Sequence, residues 1–408
     1  MAALALPAVA HASFPGTNGR IAYAGPGLSG ISDSSIFSMN PDGSDKSNLT
    51  PTPVSAPARR GGAVGAFNPS YSADGRRIVF ERIAQGQFRA DIWVMNADGS
   101  GATNVSNTPS VTERDPAFSP DGSKIVFNRS EDNGPNELWT MNANGTGATQ
   151  LTGTGGIMFA DSPEYSPDGT KIAFSGGSGK NDIYTIGANG QGLSNLTATA
   201  VTGNSFQPSW SPDGTRIAFQ DQTTTRTDIL VIGTDGGATT NLTSALADTT
   251  FVESPTFSPD GQLIAYQRNE GGTDDDDIYT MRSSDGLQQT NITSDTPSQD
   301  RDPAWGPVPT TPPDNDPPET TITKAPKDSE KTKAKLAFSS SEPNSTFECA
   351  LKGKDVRASL KEFAPCNSGK AKYTNLEPGK KKFLVRATDA AGNKDTSPAK
   401  AKWKVLSN

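Results

Sequence analysis

Between residues 71 and 266 one alternation of polar and apolar positions occurs five times, over 71–80, 118–127, 165–174, 210–219 and 257–266. Each copy runs aromatic residue, Ser, Pro or Ala, Asp, Gly, two variable positions, Ile, Ala or Val, and Phe or Tyr. The aromatic residue ends one strand. Pro then presets φ, Asp bonds local backbone and Gly accepts a left-handed conformation, so the chain turns and the apolar run starts the next strand. The glycines stand at 75, 122, 169, 214 and 261, in steps of 47, 47, 45 and 47 residues, the length of a four-stranded propeller blade. A second apolar run follows, starting at Asp91, Glu137, Asp182, Asp228 and Asp277 and bounded by turn residues, as sheet strands require. Next comes an Asp-Gly or Asn-Gly hairpin signal, with glycines at 99, 145, 190, 236 and 286, and each unit closes on a short edge strand such as 195–197 or 241–243.

The ends of the array set the blade count. Residues 19–23, 36–39, 42–43 and 48–50 supply three strands and a turn, without the aromatic-Ser-Pro-Asp-Gly phrase before them. Residues 301–305 supply the missing strand at the far end. One blade is therefore stitched from both ends, which hides sheet edges and makes six blades in all. The expected fold is all-β: a six-bladed propeller closed by its terminal strands, followed by a small β-sandwich. The repeated wording resembles the TolB-like, WD40-like (PD40) propellers over residues 13–306. That resemblance implies a soluble periplasmic protein that docks envelope partners, among them a peptidoglycan-bound lipoprotein and inner-membrane Tol proteins. The chain departs from the family in showing no α/β domain before the first repeat, so the resemblance carries a docking role rather than a place in a Tol system.

Residues 1–12 are apolar and end in Ala10-His11-Ala12, the pattern of an export-signal core and cleavage site without its basic leader. No other stretch is long and apolar enough to span a membrane, so the expected location is outside the cytoplasm: periplasmic, wall-associated or secreted. Charge divides unevenly. Residues 1–309 carry 18 Lys and Arg against 33 Asp and Glu, a net of −15, whereas residues 310–408 carry 19 against 12, a net of +7. An acidic propeller argues against nucleic acid as a partner. The basic tail, 17 of whose 19 cations are Lys, reads either as a solvated face or as a contact to anionic wall polymer.

Residues 307–318 are rich in proline and read as a semi-rigid spacer. Residues 319–408 hold several short, turn-rich strand candidates, which read as a small β-sandwich. The segments at 316–320, 345–349 and 385–393 resemble the Ig-like modules appended to exported bacterial proteins. Cys349 and Cys366, the only cysteines, read as a disulfide in an exported chain. Their spacing suits a local hairpin, where the bond serves as a staple without chemistry.

The single histidine is His11, inside the predicted signal. Its loss removes Ser-His-Asp hydrolysis, histidine acid–base catalysis and His-ligated zinc or manganese. No Gly-x-Ser-x-Gly elbow is present, and the glycine-rich stretch at 176–181 sits between two strand runs as a hairpin tip. The recurring Asn-x-Thr triplets follow the repeat of the edge strand, which makes glycosylation the weaker explanation. The acidic run 274–277 could hold Ca²⁺, yet consecutive acids on a strand face opposite ways. The expectation is no resident metal or cofactor, with Ca²⁺ kept as the alternative.

Six prolines, at 69, 116, 163, 208, 255 and 303, stand before the inner strands, and the residues two before them should share one rim of the channel by repeat symmetry. They are Phe67, Arg114, Asp161, Phe206, Glu253 and Arg301, and Asp115 and Asp302 beside them are counted with the channel mouth as candidate binding residues. Around a six-fold ring the aromatics oppose one another, Arg114 opposes Glu253, and Asp161 opposes Arg301; Arg114 and Asp161, and Glu253 and Arg301, also stand as neighbours. Such a rim suits a protein or peptide partner, since aromatics and Arg dominate interface anchoring; alternatively the charges merely neutralise one another. The expected function is thus a non-catalytic, exported binding or scaffold protein. Two alternatives stay open: a carboxylate-based enzyme or Ca²⁺-dependent carbohydrate binder using Asp115, Asp161, Glu253 and Asp302, and a purely structural surface protein.

Overall fold

A computed structural model describes residues 14–407, except 28–29, 52–63, 85–86, 88, 132–133, 154–156, 158, 271–274, 295–298, 311–316, 343–344, 367–368 and 389–392. The predicted signal at 1–12, Asp274 and the middle of the predicted spacer lie outside the described residues. The chain divides into two compact units, 1–310 and 311–408.

The first unit is a six-bladed propeller. Its inner strands are Arg301–Pro307, Val64–Tyr71, Thr112–Phe118, Phe159–Tyr165, Asn204–Trp210 and Phe251–Phe257. Each is followed outward by two longer antiparallel strands and a two-residue edge strand. The first blade closes the ring as expected. Asn18–Gly27 pairs antiparallel with Arg301–Pro307, placing Ile21 opposite Trp305.

Six buried clusters, each drawn from two adjacent blades, hold the ring together. The Ile-Ala/Val-Phe run explains them, because successive residues of a strand face opposite ways. Val126 in one blade packs in the cluster that holds Ile172 and Phe174 of the next, and Ala173 packs with Ile217 and Phe219 of the blade after. The small residue of one blade therefore receives the large pair of its neighbour.

The turns follow their predicted chemistry. Ser119 donates from Oγ to Asp121 Oδ1 at 2.6 Å, the Ser123 N–H donates to the same oxygen, and Gly122 sits at φ 65°. Gly145, in a hairpin turn, has φ 86°, and a Cβ there would lie 1.8 Å from the Val105 carbonyl of the previous blade. The Asn-x-Thr triplets are structural. Asn195 donates to Asp182 Oδ2 at 2.9 Å, and Thr197 Oγ1 accepts from the Ile183 N–H while bonding Asp182 Oδ1.

Two expectations need correction. The repeated prolines lie inside the inner strands, not before them. Propeller contacts also run past residue 306: the Val308 N–H donates to the Thr17 carbonyl and the Thr310 N–H to the Asp74 carbonyl. The residues beginning the predicted spacer are thus bound to the propeller by their backbone.

The second unit packs a three-stranded sheet, Thr320–Lys324, Ala334–Ser340 and Lys370–Tyr373, against a four-stranded one. The latter runs Ala364–Pro365, Thr346–Lys352, Gly379–Thr388, Ala399–Val405. One core, including Leu336, Leu351, Phe383 and Trp403, fills the space between them. The Cys349–Cys366 disulfide, with Cα atoms 5.6 Å apart, closes the local hairpin at Ala364–Pro365.

Candidate functional site: the propeller channel

Each inner strand carries a β-bulge at its proline. Opposite Phe67 stands Glu81, and opposite Ser70 stands Val79, so one residue is extra; the other five inner strands do the same. Pro has no N–H for the ladder and disfavours the right-handed region for the residue before it. That residue takes the left-handed conformation in all six blades: Asn68, Asp115, Ser162, Gln207, Ser254 and Asp302, with φ between 49° and 52°. For a non-glycine residue this costs on the order of 1 kcal/mol or more, and side-chain hydrogen bonds offset it.

The six form a polar belt in two arcs. In one, Asn68 Nδ2 donates to Asp115 Oδ1 at 2.6 Å, and the Ser162 N–H donates to Asp115 Oδ2 at 3.1 Å. In the other, Gln207 Nε2 donates to Ser254 Oγ at 2.8 Å, the Ser254 N–H donates to Gln207 Oε1 at 2.9 Å, and Ser254 Oγ donates to Asp302 Oδ1 at 3.1 Å. Each bond links equivalent positions of adjacent blades. A cavity of about 150 Å³ begins at this belt and runs toward the Ser-Pro-Asp-Gly end, where Phe14 joins its wall.

Asp115 and Asp302 therefore belong to the belt, one level below the rim. Phe67, Arg114, Asp161, Phe206, Glu253 and Arg301 line none of this cavity and stand on the opposite side of the belt. The expected pairing across the ring is replaced by local partners. Arg301 Nε donates to Asp276 Oδ2 at 2.6 Å rather than meeting Asp161. Asp161 Oδ1 accepts from Asn136 at 2.6 Å and from Asn128 at 3.0 Å. Glu253 Oε1 accepts from Gln220 at 3.5 Å. Arg114 is exposed and makes no hydrogen bond or ion pair with another described residue, while Phe67 and Phe206 are half-buried. Two further aromatics at the same end of their strands, Phe159 and Phe251, are each 46% exposed.

Beneath the rim lies a second polar ring, formed by the residue after each Ile-Ala/Val-Phe run: Glu81, Asn128, Ser175, Gln220 and Gln267, all buried. Sequence reasoning missed it, although its offset from the repeat was available. Glu81 Oε2 accepts the Asp115 N–H at 3.1 Å, and Asn128 donates to both Asp115 and Asp161. Burial, then the Asp115 carboxylate, pushes the Glu81 carboxyl up to about 8, against the field of Arg114. Asp161 rises to about 6 through burial and Asp115. Asp302 also rises to about 6, through burial opposed by its Ser254 bond. Burial likewise raises Asp115 and Glu253. Asp276 and Asp277 turn to different partners, Arg301 and the Asn291–Thr293 edge. Among the described residues no group of three or more Asp, Glu, His or Cys is arranged to hold a metal ion.

The fold and its belted channel define a closed six-bladed β-propeller. More narrowly, the chain belongs to the TolB β-propeller domain family, whose sequence profile matches residues 61–309. Among solved structures it is similar to TolB from Acinetobacter baumannii, at 23% identity over 71% of this chain and 67% of that one, with a TM-score of 0.58. The putative TolB from Agrobacterium tumefaciens is similar at 16% identity over 71% and 99%, TM-score 0.51. A chain of a nidogen/laminin complex is similar at 12% over 71% and 98%, TM-score 0.53. These identities speak for the fold alone. A comparison with curated proteins returned no match. Among the described residues no helix is long and apolar enough to cross a membrane.

Proposed function

We propose that this chain is an exported, non-catalytic docking protein of the cell envelope that holds a protein or peptide at the rim of its propeller. The observation that carries the reading is the rim itself: exposed Phe159 and Phe251, half-buried Phe67 and Phe206, and an exposed Arg114 without a hydrogen bond or ion pair to another described residue. Aromatic and Arg side chains left open around a rigid ring are the usual anchors of an interface. The resemblance to TolB-like propellers, which implies docking of envelope partners, supports the same direction. In this reading the second unit is an Ig-like module that serves as a spacer or touches an anionic polymer of the envelope.

The test is photocrosslinking from a reactive residue at Phe206, with purified protein mixed into envelope extract. One dominant peptide adduct, lost in Arg114→Ala at unchanged melting temperature, is expected. Adducts that ignore Arg114→Ala overturn the rim as docking site. A second reading, acid–base chemistry or Ca²⁺ binding by the channel carboxylates, is favoured by one observation, the upward shift of Asp161 and Asp302 to about 6. It predicts that Ca²⁺ raises the melting temperature and EDTA reverses the effect.

A further inference from the structure

The outer face of the four-stranded sheet in the second unit carries its charges in two different ways. At one end Glu348 accepts from Arg386 Nε at 2.8 Å and from Lys394 Nζ at 3.1 Å, so that opposite charges meet. At the other end Lys352, Lys382 and Lys402 stand directly across from one another on three adjacent strands. Lys380 and Lys404 form a second row beside them. None of these five makes an ion pair with another described residue. Like charges directly opposite on a sheet are destabilising, and the fold has an alternative, which it uses at Glu348.

A second observation points the same way. The five lysines of this face, with Lys354, line one cleft of about 770 Å³. Lys381, opposite Trp403 and 3% exposed, alternates onto the core face with it and does not present its Nζ there. The single acid in the lining is Asp328, whose Oδ1 already accepts the Lys404 N–H at 2.7 Å. Six ammonium groups against the one carboxylate of Asp328 leave an excess of positive charge that an anion entering the cleft would neutralise.

We infer that this cleft is a binding site for a polyanion bearing repeated phosphate groups. A row across three strands spans roughly 10 Å, more than one phosphate can touch, so the site suits a chain of anions. The six cations of this face are all lysines. Compact ammonium groups hold phosphate as point charges, without the planar fork that arginine offers to carboxylate and phosphate alike. The one aromatic ring in the lining, Trp403, is buried in the core, so the face offers no platform for stacking bases. The inference deepens the polymer-contact reading of the second unit and is independent of docking at the propeller.

The test uses the full chain and fluorescently labelled inorganic polyphosphate, with binding followed by anisotropy at several salt concentrations. The triple variant Lys352→Gln, Lys382→Gln, Lys402→Gln is expected to bind at least tenfold more weakly, with a log–log salt slope smaller by about 2. Lys381→Met, on the core face, should leave binding unchanged. Both variants should melt no lower than the parent, since each removes repulsion or an unpaired buried charge. Polyglutamate of equal length is expected to bind at least tenfold more weakly than polyphosphate; equal binding would replace phosphate recognition by bulk charge and overturn the assignment. Unchanged affinity in the triple variant, or tighter binding of single-stranded DNA than of polyphosphate, would also overturn it. Retention on envelope material by a chain that ignores polyphosphate would remove this site while leaving the polymer contact standing.

Discussion

The channel and the lysine cleft handle charge in opposite ways. Around the channel, acids sit close together but every belt carboxylate has donors: Asp115 takes hydrogen bonds from Asn68, Asn128 and the Ser162 backbone, and Asp302 takes one from Ser254. The field of Arg114 opposes the upward shift of Asp115, and that of Arg301 opposes the shift of Asp302. In the cleft, the outer-face lysines make no ion pair with another described residue and repel one another. A polar cluster satisfied from within is a structural frame that a partner can rest on. One left unsatisfied is open to a ligand of opposite charge.

The largest expected effects break the two units separately. Phe174→Ala removes a fully buried ring from the interface of two blades and should cost about 3–5 kcal/mol, lowering the propeller transition in calorimetry and leaving the sandwich transition in place. Reducing the Cys349–Cys366 bond should do the reverse, lowering the sandwich transition by about 3 kcal/mol in the chain-entropy model. A single transition that shifts in both experiments would mean that the units unfold together.

Smaller effects sharpen the electrostatic contrast. Glu81, Asp161 and Asp302 have folded values above those of an unfolded chain, near 4. Their contribution is therefore full below about pH 4 and is lost as pH rises through about 6 to 8. The turn aspartates Asp121, Asp168 and Asp213 run the other way. Burial alone would raise them, but their Ser and Thr hydrogen bonds hold them below the ordinary value, so their contribution is lost as pH falls below about 4. The propeller should melt higher at pH 5 than at pH 8, and Glu81→Gln should flatten that difference; equal melting at both values would show that the channel acids are not buried as described. The smallest change is expected for Lys381→Met in the absence of ligand: no loss of melting temperature.

Much of this molecule was legible before any coordinates. The 47-residue step, the Ser-Pro-Asp-Gly turns and the split first blade are local or periodic signals, and they led to six blades and ring closure, while the pair of cysteines led to the Cys349–Cys366 staple. The channel was half legible. Asp115 and Asp302 were named, but at the rim rather than in the belt, and Asn68, Ser162, Gln207 and Ser254 were passed over beside them. Glu81, Phe159 and Phe251 were missed because each departs from its repeat only in chemistry, not in spacing. Arg301 was paired with Asp161 and with Glu253; its field does reach Glu253, but its ion pair goes to Asp276, which ring symmetry cannot see arriving from the neighbouring blade.

What the sequence by itself determined was the order of turns and strands, because propensity and periodicity act within a few residues and repeat with the chain. What only the tertiary structure decided was which side chains face the channel and which charges meet. One extra residue at each proline bulge reverses the face of everything beyond it, and a charge finds its partner through space, across blades and sheets that share no sequence neighbourhood.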